Sequence, residues 1–448
     1  MIALVLCVVA LLLTFSAGRY SLGKGLVALL FVGYCYGIVR ANVLSTFTYF
    51  FFDAAVMGLY LSQFFDSRNK GATPRSAALN FWVILLILWP TIVIFLPFQP
   101  LLVSLVGFRG ITFFIPMLLL GTRLREKDLV ELCYGLLVLN LIAGGFAAAE
   151  YVLGVPRFYP RNAVTAIIYA SSDVAGHFFR IPATFVNAHG YGTTMVFTLP
   201  FLLGFWNRSK ARFFRWLTVL SLAAALLGIL ASAARVCFLM GAFTVAASLF
   251  TGRMTTGRRI IFVVILGGMA VLTLGSERLQ RFKSLGDTDY VSNRIAGSVN
   301  RGFWEILADH PMGNGLGGGG TSMPYFLEGE VRNPIGLENE YAMVLAEQGI
   351  VGLLFWFAFV VWFLTRAPVA FARGPWDTTR RTGWCIVAFS LCTAWIGIGL
   401  LNAIPGAALL LLIMGWTAAP RAPELRGTPE LRRVAVSRHR ELSVPSVS

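Results

Sequence analysis

Apolar residues in this chain fall in long uninterrupted runs, separated by short charged or glycine- and proline-bearing breaks. The runs predict membrane-spanning helices near 2–17, 25–43, 45–62, 78–97, 101–120, 129–149, 189–207, 216–234, 236–251, 259–275, 341–364, 382–400 and 404–418, because about 20 apolar residues cross a bilayer as a helix. No run shows the period-two alternation of a membrane β-barrel. The first run lacks a positive residue ahead of it and reads as a membrane helix, not a cleaved signal. Two connections are long, 150–188 and 276–340, and their aromatic residues (Phe158, Phe178, Phe179, Phe303, Trp304, Tyr325) predict ordered structure. The segment Ala419–Ser448, rich in Arg, Pro and Ser, predicts a disordered tail. The expected architecture is an all-α polytopic membrane protein of about 12–13 transmembrane helices. Membrane helices occupy 1–275, a large loop 276–340, further membrane helices 341–418 and a basic tail 419–448.

Composition agrees with the pattern. The chain is 57% hydrophobic and 13% charged, with mean hydropathy +0.73, which a soluble protein does not reach. The net charge of +16, from 37 Lys and Arg against 21 Asp and Glu, reports topology before it suggests nucleic acid. Twenty-five of the 37 basic residues fall on one side of the threading, in clusters such as Arg123–Lys127, Arg208–Arg215 and the six arginines from Arg421 to Arg440. That side is the expected cytoplasm. The six cysteines lie inside apolar runs with no CxxC pair or acid–His cluster, so neither metal, cofactor nor disulfide is expected.

The remaining twelve basic residues oppose the positive-inside trend, and eleven are arginine, whose planar fork binds phosphate bidentately. Arg40, Arg109, Arg180, Arg235, Arg294 and Arg301 are among them. Arg109 sits within the 101–120 run and Arg235 at a helix end; ionisable groups at membrane depth mark ligand paths. Alternatively, Arg235 snorkels to the interface and Arg109 pairs with an acid such as Asp53. The segment from Arg180 to Gly192 turns into the 189–207 run at Pro182 and Gly190, with His189 in the turn as a capping or packing residue. A helix is expected over Ser292–Ala308, ending at Asp309-His310-Pro311. The glycine-rich stretch from Met312 to Gly320 permits close backbone approach to a ligand, or flexibility, and lacks the Lys-Ser/Thr of a phosphate-binding P-loop. Glu338 and Glu340 lie at a helix start, where the dipole favours carboxylates whatever their function.

In this order, the segments Arg180–Gly192, Ser232–Arg235, Arg301–Trp304, Ala308–Gly317, Asn339-Glu340-Tyr341 and Glu347–Leu353 resemble the O-antigen ligase and Wzy-type O-antigen and exopolysaccharide polymerase superfamily. The similarity covers roughly residues 175–365. The resemblance implies a GT-C-like, metal-independent enzyme, inverting at the anomeric carbon. It would act on undecaprenyl-pyrophosphate-linked glycan at the periplasmic face, with a chain-length regulator and a flippase as further partners. In the ligases, arginines matching Arg180 and Arg235 hold the pyrophosphate, and a His precedes the Asn-x-Tyr element. Here that position is Glu338, which points to the polymerase branch.

Chemistry agrees: a departing pyrophosphate needs cations and the attacking hydroxyl a base. Glu338 and Glu340 are the candidate bases. Arg180, Arg235, Arg301, Arg109, Arg294, Trp304, Asn339 and Tyr341 are the candidate substrate-binding residues. The alternatives are ligation to lipid A core or protein, a peptidoglycan glycosyltransferase, and a transporter or flippase. The two long outward loops favour an enzyme over a transporter.

Overall fold

The computed structural model describes residues 1–66, 76–170, 178–251, 286–297, 302–319, 323–335, 339–395 and 400–420, with Leu337 and seven single residues between 257 and 282. The helices are α1 (Ile2–Tyr20), α2 (Leu22–Asn42), α3 (Phe51–Phe64), α4 (Ala77–Ile94), α5 (Leu101–Thr112), α6 (Met117–Gly121), α7 (Glu126–Leu153), α8 (Ala166–Tyr169) and α9 (Ala188–Arg208). They continue as α10 (Arg212–Ala231), α11 (Arg235–Thr251), α12 (Thr288–Ile295), α13 (Gly302–Asp309), α14 (Glu340–Thr365), α15 (Ala367–Phe371), α16 (Asp377–Thr393) and α17 (Gly406–Ala418). No strand occurs among the described residues.

Among those residues, seven helical segments are long and apolar enough to cross a membrane, and α11 and α17 are shorter apolar helices. The chain is an all-α polytopic membrane protein. Helices stand at the expected runs from 2–17 to 404–418; the 259–275 run, apart from single residues, lies outside the described residues, as do Arg301, Glu338 and the tail from Arg421. Two runs are interrupted. The 45–62 run opens as a 3-10 turn, Thr46–Phe50, before α3. The 101–120 run breaks after Thr112, at a turn carrying Pro116, and resumes as α6. The helix expected over Ser292–Ala308 is described as two pieces, α12 and α13, the second ending at Asp309 as Pro311 requires.

The layering follows from side-chain size. Helices α9 and α17 are buried along almost their whole length, whereas α1 presents Leu4, Val5, Val8, Val9 and Leu12 outward. Small residues set the closest approaches, as expected where no water drives helices together. An added Cβ at Gly58 would lie 2.2 Å from the Leu11 carbonyl oxygen, and one at Gly415 would lie 1.9 Å from that of Leu118. A buried polar chain fixes the register of α2, α7 and α9: the Tyr34 hydroxyl donates to Asn140 at 2.6 Å, and the Asn140 amide to Thr198 at 2.9 Å.

The basic clusters have local partners as well. Arg19 donates to the Phe65 carbonyl at the end of α3, Arg366 and Arg380 to carbonyls at the end of α17, and Arg381 to the Thr251 carbonyl ending α11. Each cation satisfies carbonyls that a helix terminus leaves open and opposes the negative end of its dipole. Three helix C-termini therefore gather at the same end of the bundle as these arginines.

The glycine-rich stretch is packed against protein. Gly313, Gly315 and Gly317 have φ near +80°, open only to glycine at low cost. The Asn314 N–H donates to the Ala346 carbonyl and the Ile350 N–H to the Pro311 carbonyl, while Asn314 and Gln99 side chains hold the carbonyls around Arg332 and Asn333. Helix α14 kinks to receive this segment: Gly349 has φ +69°, and an added Cβ there would lie 2.7 Å from the Met312 carbonyl. Its buried neighbour Glu347 takes the N–H groups of Gly317 and Gly319. The close approach that glycine permits is to α14 and α5, where Gly107 abuts Gly317.

Two costs add at Gly349, a left-handed conformation and a clash. Gly349→Ala is expected to destabilise by about 2–4 kcal/mol and lower the melting temperature in detergent. Gly145→Ala, where an added Cβ meets nothing within 4 Å, leaves it unchanged. Equal melting of the two variants would contradict this docking.

Candidate functional site

The segment Arg180–Asn187 leaves the helical regime inside the bundle, with Ile181 to Phe185 fully buried. Buried non-helical backbone must find partners for its polar groups, and four elements supply them. The Ile181 N–H donates to the Ala231 carbonyl ending α10 (3.3 Å), and the Ile38 N–H of α2 donates to the Thr184 carbonyl (3.1 Å). The Glu150 carboxylate in the last turn of α7 accepts from the Ala183 N–H (2.9 Å). The Tyr159 hydroxyl, from the following loop, donates to the Ala183 and Phe185 carbonyls, both at 2.7 Å. Burial, then the nearby Glu150 charge, pushes the Tyr159 phenol well above its ordinary range, so it stays a donor.

Sterics match. An added Cβ at Gly37 would lie 2.0 Å from the Phe185 carbonyl carbon, so α2 and the segment meet backbone to backbone. Phe185 stacks on Tyr191 of α9, ring centroids 5.3 Å apart. Ala183 (φ +51°) and Ala233 (φ +47°) both sit in the left-handed region, each costing about 1–3 kcal/mol for a residue with a Cβ. The Ile181–Ala231 bond thus brings two strained turns together, one after Arg180 and one before Arg235.

Three cavities meet around this segment. An apolar groove of about 670 Å³ runs between α7 and α10, lined by Leu141, Ala147, Ala148, Leu220, Ala224 and Leu227 among others, and Arg180 and Ala233 also border it. A small cavity of about 130 Å³ links Arg180 to Asn187 and His189. A third, of about 550 Å³, shares Asn187 and His189 and is lined further by Tyr36, Arg40, Tyr49, Arg109, Tyr325, Glu328 and Asn402. Arg180 borders the first two, and its Nε is buried without a hydrogen-bond partner. His189 borders the second and third; its ring nitrogens make long contacts only, 3.4 Å to Thr193 Oγ1 and 3.8 Å to Cys237 Sγ.

The expected site residues divide. Arg180 stands next to the Ile181–Ala231 bond that joins the two turns and borders two of the cavities, whereas half-buried Arg235, four residues beyond Ala231 at the start of α11, is not among the residues lining them. Arg109, about 12 Å along α5 from its start, is in a bidentate pair with Asp53 of α3, both hydrogen bonds 2.7 Å long. The alternative reading of Arg109 as half of an ion pair matches this geometry, and Arg109 itself lines the third cavity. Asn339 caps α14 through the Ala342 N–H (2.6 Å), and the Tyr341 hydroxyl donates to the Leu391 carbonyl (2.8 Å). Glu340 is buried and accepts from the Leu400 and Leu401 N–H groups at 3.0 and 3.1 Å. None of these three lines the cavities above; their contacts hold α14 to the segments ending α16 and preceding α17. Trp304 is exposed on α13, whose inner face puts Phe303 on Trp395. Arg301, Glu338 and the Arg294 side chain lie outside the described residues. Among the described residues no cluster of His, Cys, Asp and Glu could hold a metal ion.

Sequence reasoning did not single out Glu150, Asn187 and Glu328. Glu150 carried a readable signal, an acid directly after the 129–149 apolar run and before the apolar Tyr151–Val155. Glu150→Ala removes the acceptor of the Ala183 N–H; amides 181–185 should then exchange with deuterium roughly tenfold faster or more, as a lost buried hydrogen bond of about 1–3 kcal/mol predicts. Glu150→Gln, which keeps an oxygen acceptor, should restore protection. Unchanged exchange in Glu150→Ala would contradict this anchoring. No protein-family model matches this chain, and no curated protein matches it.

Proposed function

We propose that the protein polymerises undecaprenyl-pyrophosphate-linked oligosaccharide repeat units into O-antigen, capsule or exopolysaccharide at the periplasmic face of the bacterial inner membrane. The reaction is an inverting glycosyl transfer without metal. The observation that carries the reading is the position of Arg180. Its side chain, with a buried Nε that has no hydrogen-bond partner among the described residues, borders an apolar groove and also a small cavity that holds Asn187 and His189 beside Ile167, Ile168 and Ala188. A lipid-linked sugar has the same sequence of parts: an apolar tail, a diphosphate, then polar rings.

In this reading the prenyl chain lies along the groove, whose outer rim, Leu220, Leu227 and Val152, is exposed and apolar. The diphosphate meets Arg180, with Arg235 across the joined turns as the second cation. As the glycosidic bond to the diphosphate breaks, charge grows on the leaving oxygen, and fixed guanidinium donors in a site of low dielectric stabilise it. The acceptor hydroxyl enters from the third cavity. Its proton needs an acceptor within reach, and His189, which borders both polar cavities, is the group assigned that role. Glu340 is engaged by backbone N–H groups and is left out of the chemistry.

The test is purified protein in liposomes supplied with lipid-linked repeat units. A ladder of longer glycans is expected, and Arg180→Ala should slow its growth roughly 10²-fold, the scale seen when one charge-stabilising donor is removed. Normal growth by Arg180→Ala would remove the diphosphate role. Transfer of a single glycan to lipid A core without a ladder would make the protein a ligase, and bilayer redistribution alone would make it a transporter.

A further inference from the structure

The third cavity holds a cation that the diphosphate reading leaves unused. Arg40, in the last turn of α2, is half-buried and lines it. Its guanidinium lies 4.7 Å from the Tyr49 ring centroid and 5.4 Å from that of Tyr36. Its contact with the Tyr36 hydroxyl is 3.5 Å long, at the outer limit of a hydrogen bond. Among the described residues no carboxylate stands within ion-pair distance of it.

Arg109 supplies the internal comparison. It approaches the same Tyr49 ring, at 4.9 Å, but its charge is met by Asp53 at 2.6 Å. Arg109 is thus paired with a carboxylate, and Arg40, among the described residues, is not. The other acid lining the cavity, Glu328, is exposed and forms no ion pair with Arg40. The two tyrosine rings lie against its guanidinium, and among the described residues its polar contact is the long one to the Tyr36 hydroxyl. A planar fork held in this way suits a carboxylate or phosphate oxygen pair. The remaining lining adds sugar-binding chemistry: the exposed aromatic ring of Tyr325, and amides from Asn187 and Asn402. The volume is within the range of small-ligand sites.

We propose that this cavity is a glycan subsite in which Arg40 receives an anionic group. That group is either a carboxylate on a sugar or the phosphate of a second lipid-linked molecule. The proposal rests on the glycan-polymerising reading for the identity of its ligand as a sugar chain. It makes Arg40 a specificity-determining residue for the incoming glycan, separate from the Arg180 site.

The test uses full-length protein in nanodiscs and measures equilibrium binding of three probes. These are a tetrasaccharide of alternating glucuronic acid and N-acetylglucosamine, its carboxyl-reduced counterpart, and undecaprenyl monophosphate. If the anion is a sugar carboxylate, the acidic tetrasaccharide binds wild type about tenfold or more tightly than it binds Arg40→Gln, and carboxyl reduction removes the difference. If it is a lipid phosphate, the monophosphate shows the Arg40 dependence and the tetrasaccharides do not. Arg40→Lys retains charge without the fork and should fall between, and unchanged melting temperatures exclude misfolding. Equal binding of every probe by wild type and both variants, or no binding by wild type, overturns the proposal. Failure of the polymerase reading is seen separately, as absence of a glycan ladder from wild-type protein, and leaves Arg40-dependent probe binding measurable.

Discussion

A stretch of backbone that is not helical, inside a bundle where water is scarce, must have its N–H and C=O groups met by protein. The Arg180–Asn187 segment imposes this requirement, and much of the surrounding structure answers it. Glycine at position 37 lets α2 approach the segment, and the Ile38 N–H bonds to it. The acid at the end of α7 takes the Ala183 N–H, and a loop tyrosine closes two carbonyls at once. The strained φ at Ala183 is held by these contacts. The consequence is placement: Arg180 borders both an apolar groove and the small cavity holding Asn187 and His189, with its Nε meeting no acceptor among the described residues.

Charge is used differently at the two ends of the bundle. At one end, Arg19, Arg366, Arg380 and Arg381 close the carbonyls of helix C-termini. These are side chains that the sequence pattern assigns to the expected cytoplasmic side, and they also cap helices. Around the cavities arginines meet other partners: an acid for Arg109, aromatic rings for Arg40, and for Arg180 a cavity. Buried ion pairs such as Arg109–Asp53 add little net stability and lose much when one partner is missing, which suits a fixed wall of a binding cavity.

The helices were legible because an apolar run of membrane length has few other solutions; α2, α9 and α14 begin and end within a few residues of their expected limits. That Arg235 stands at a helix end was legible in the sequence. What pairs with a side chain was less so, because partners lie far apart in the chain: Asp53 is 56 residues from Arg109 and Glu150 is 33 from Ala183. Glu340 illustrates the same limit. A carboxylate at a helix start reads equally as a base or as a structural acceptor, and its acceptance of the Leu400 and Leu401 N–H groups was not readable from the sequence. The glycine run offered closeness without saying to what, and α14, through Ala346, Glu347 and Gly349, is the answer. Arg40 belonged to the outward arginines from the outset; its distinction rests on two tyrosine rings and the lack of a carboxylate in ion-pair reach among the described residues.

The central claim is that the groove between α7 and α10 receives a lipid tail and Arg180 its anionic head. The most direct measurement is a cryo-EM structure in nanodiscs containing undecaprenyl pyrophosphate. The account predicts diphosphate density in contact with Arg180 and prenyl density along Leu141, Ala148, Leu220 and Leu227. An empty groove, with the diphosphate bound elsewhere and Arg180 satisfied by protein, would contradict it.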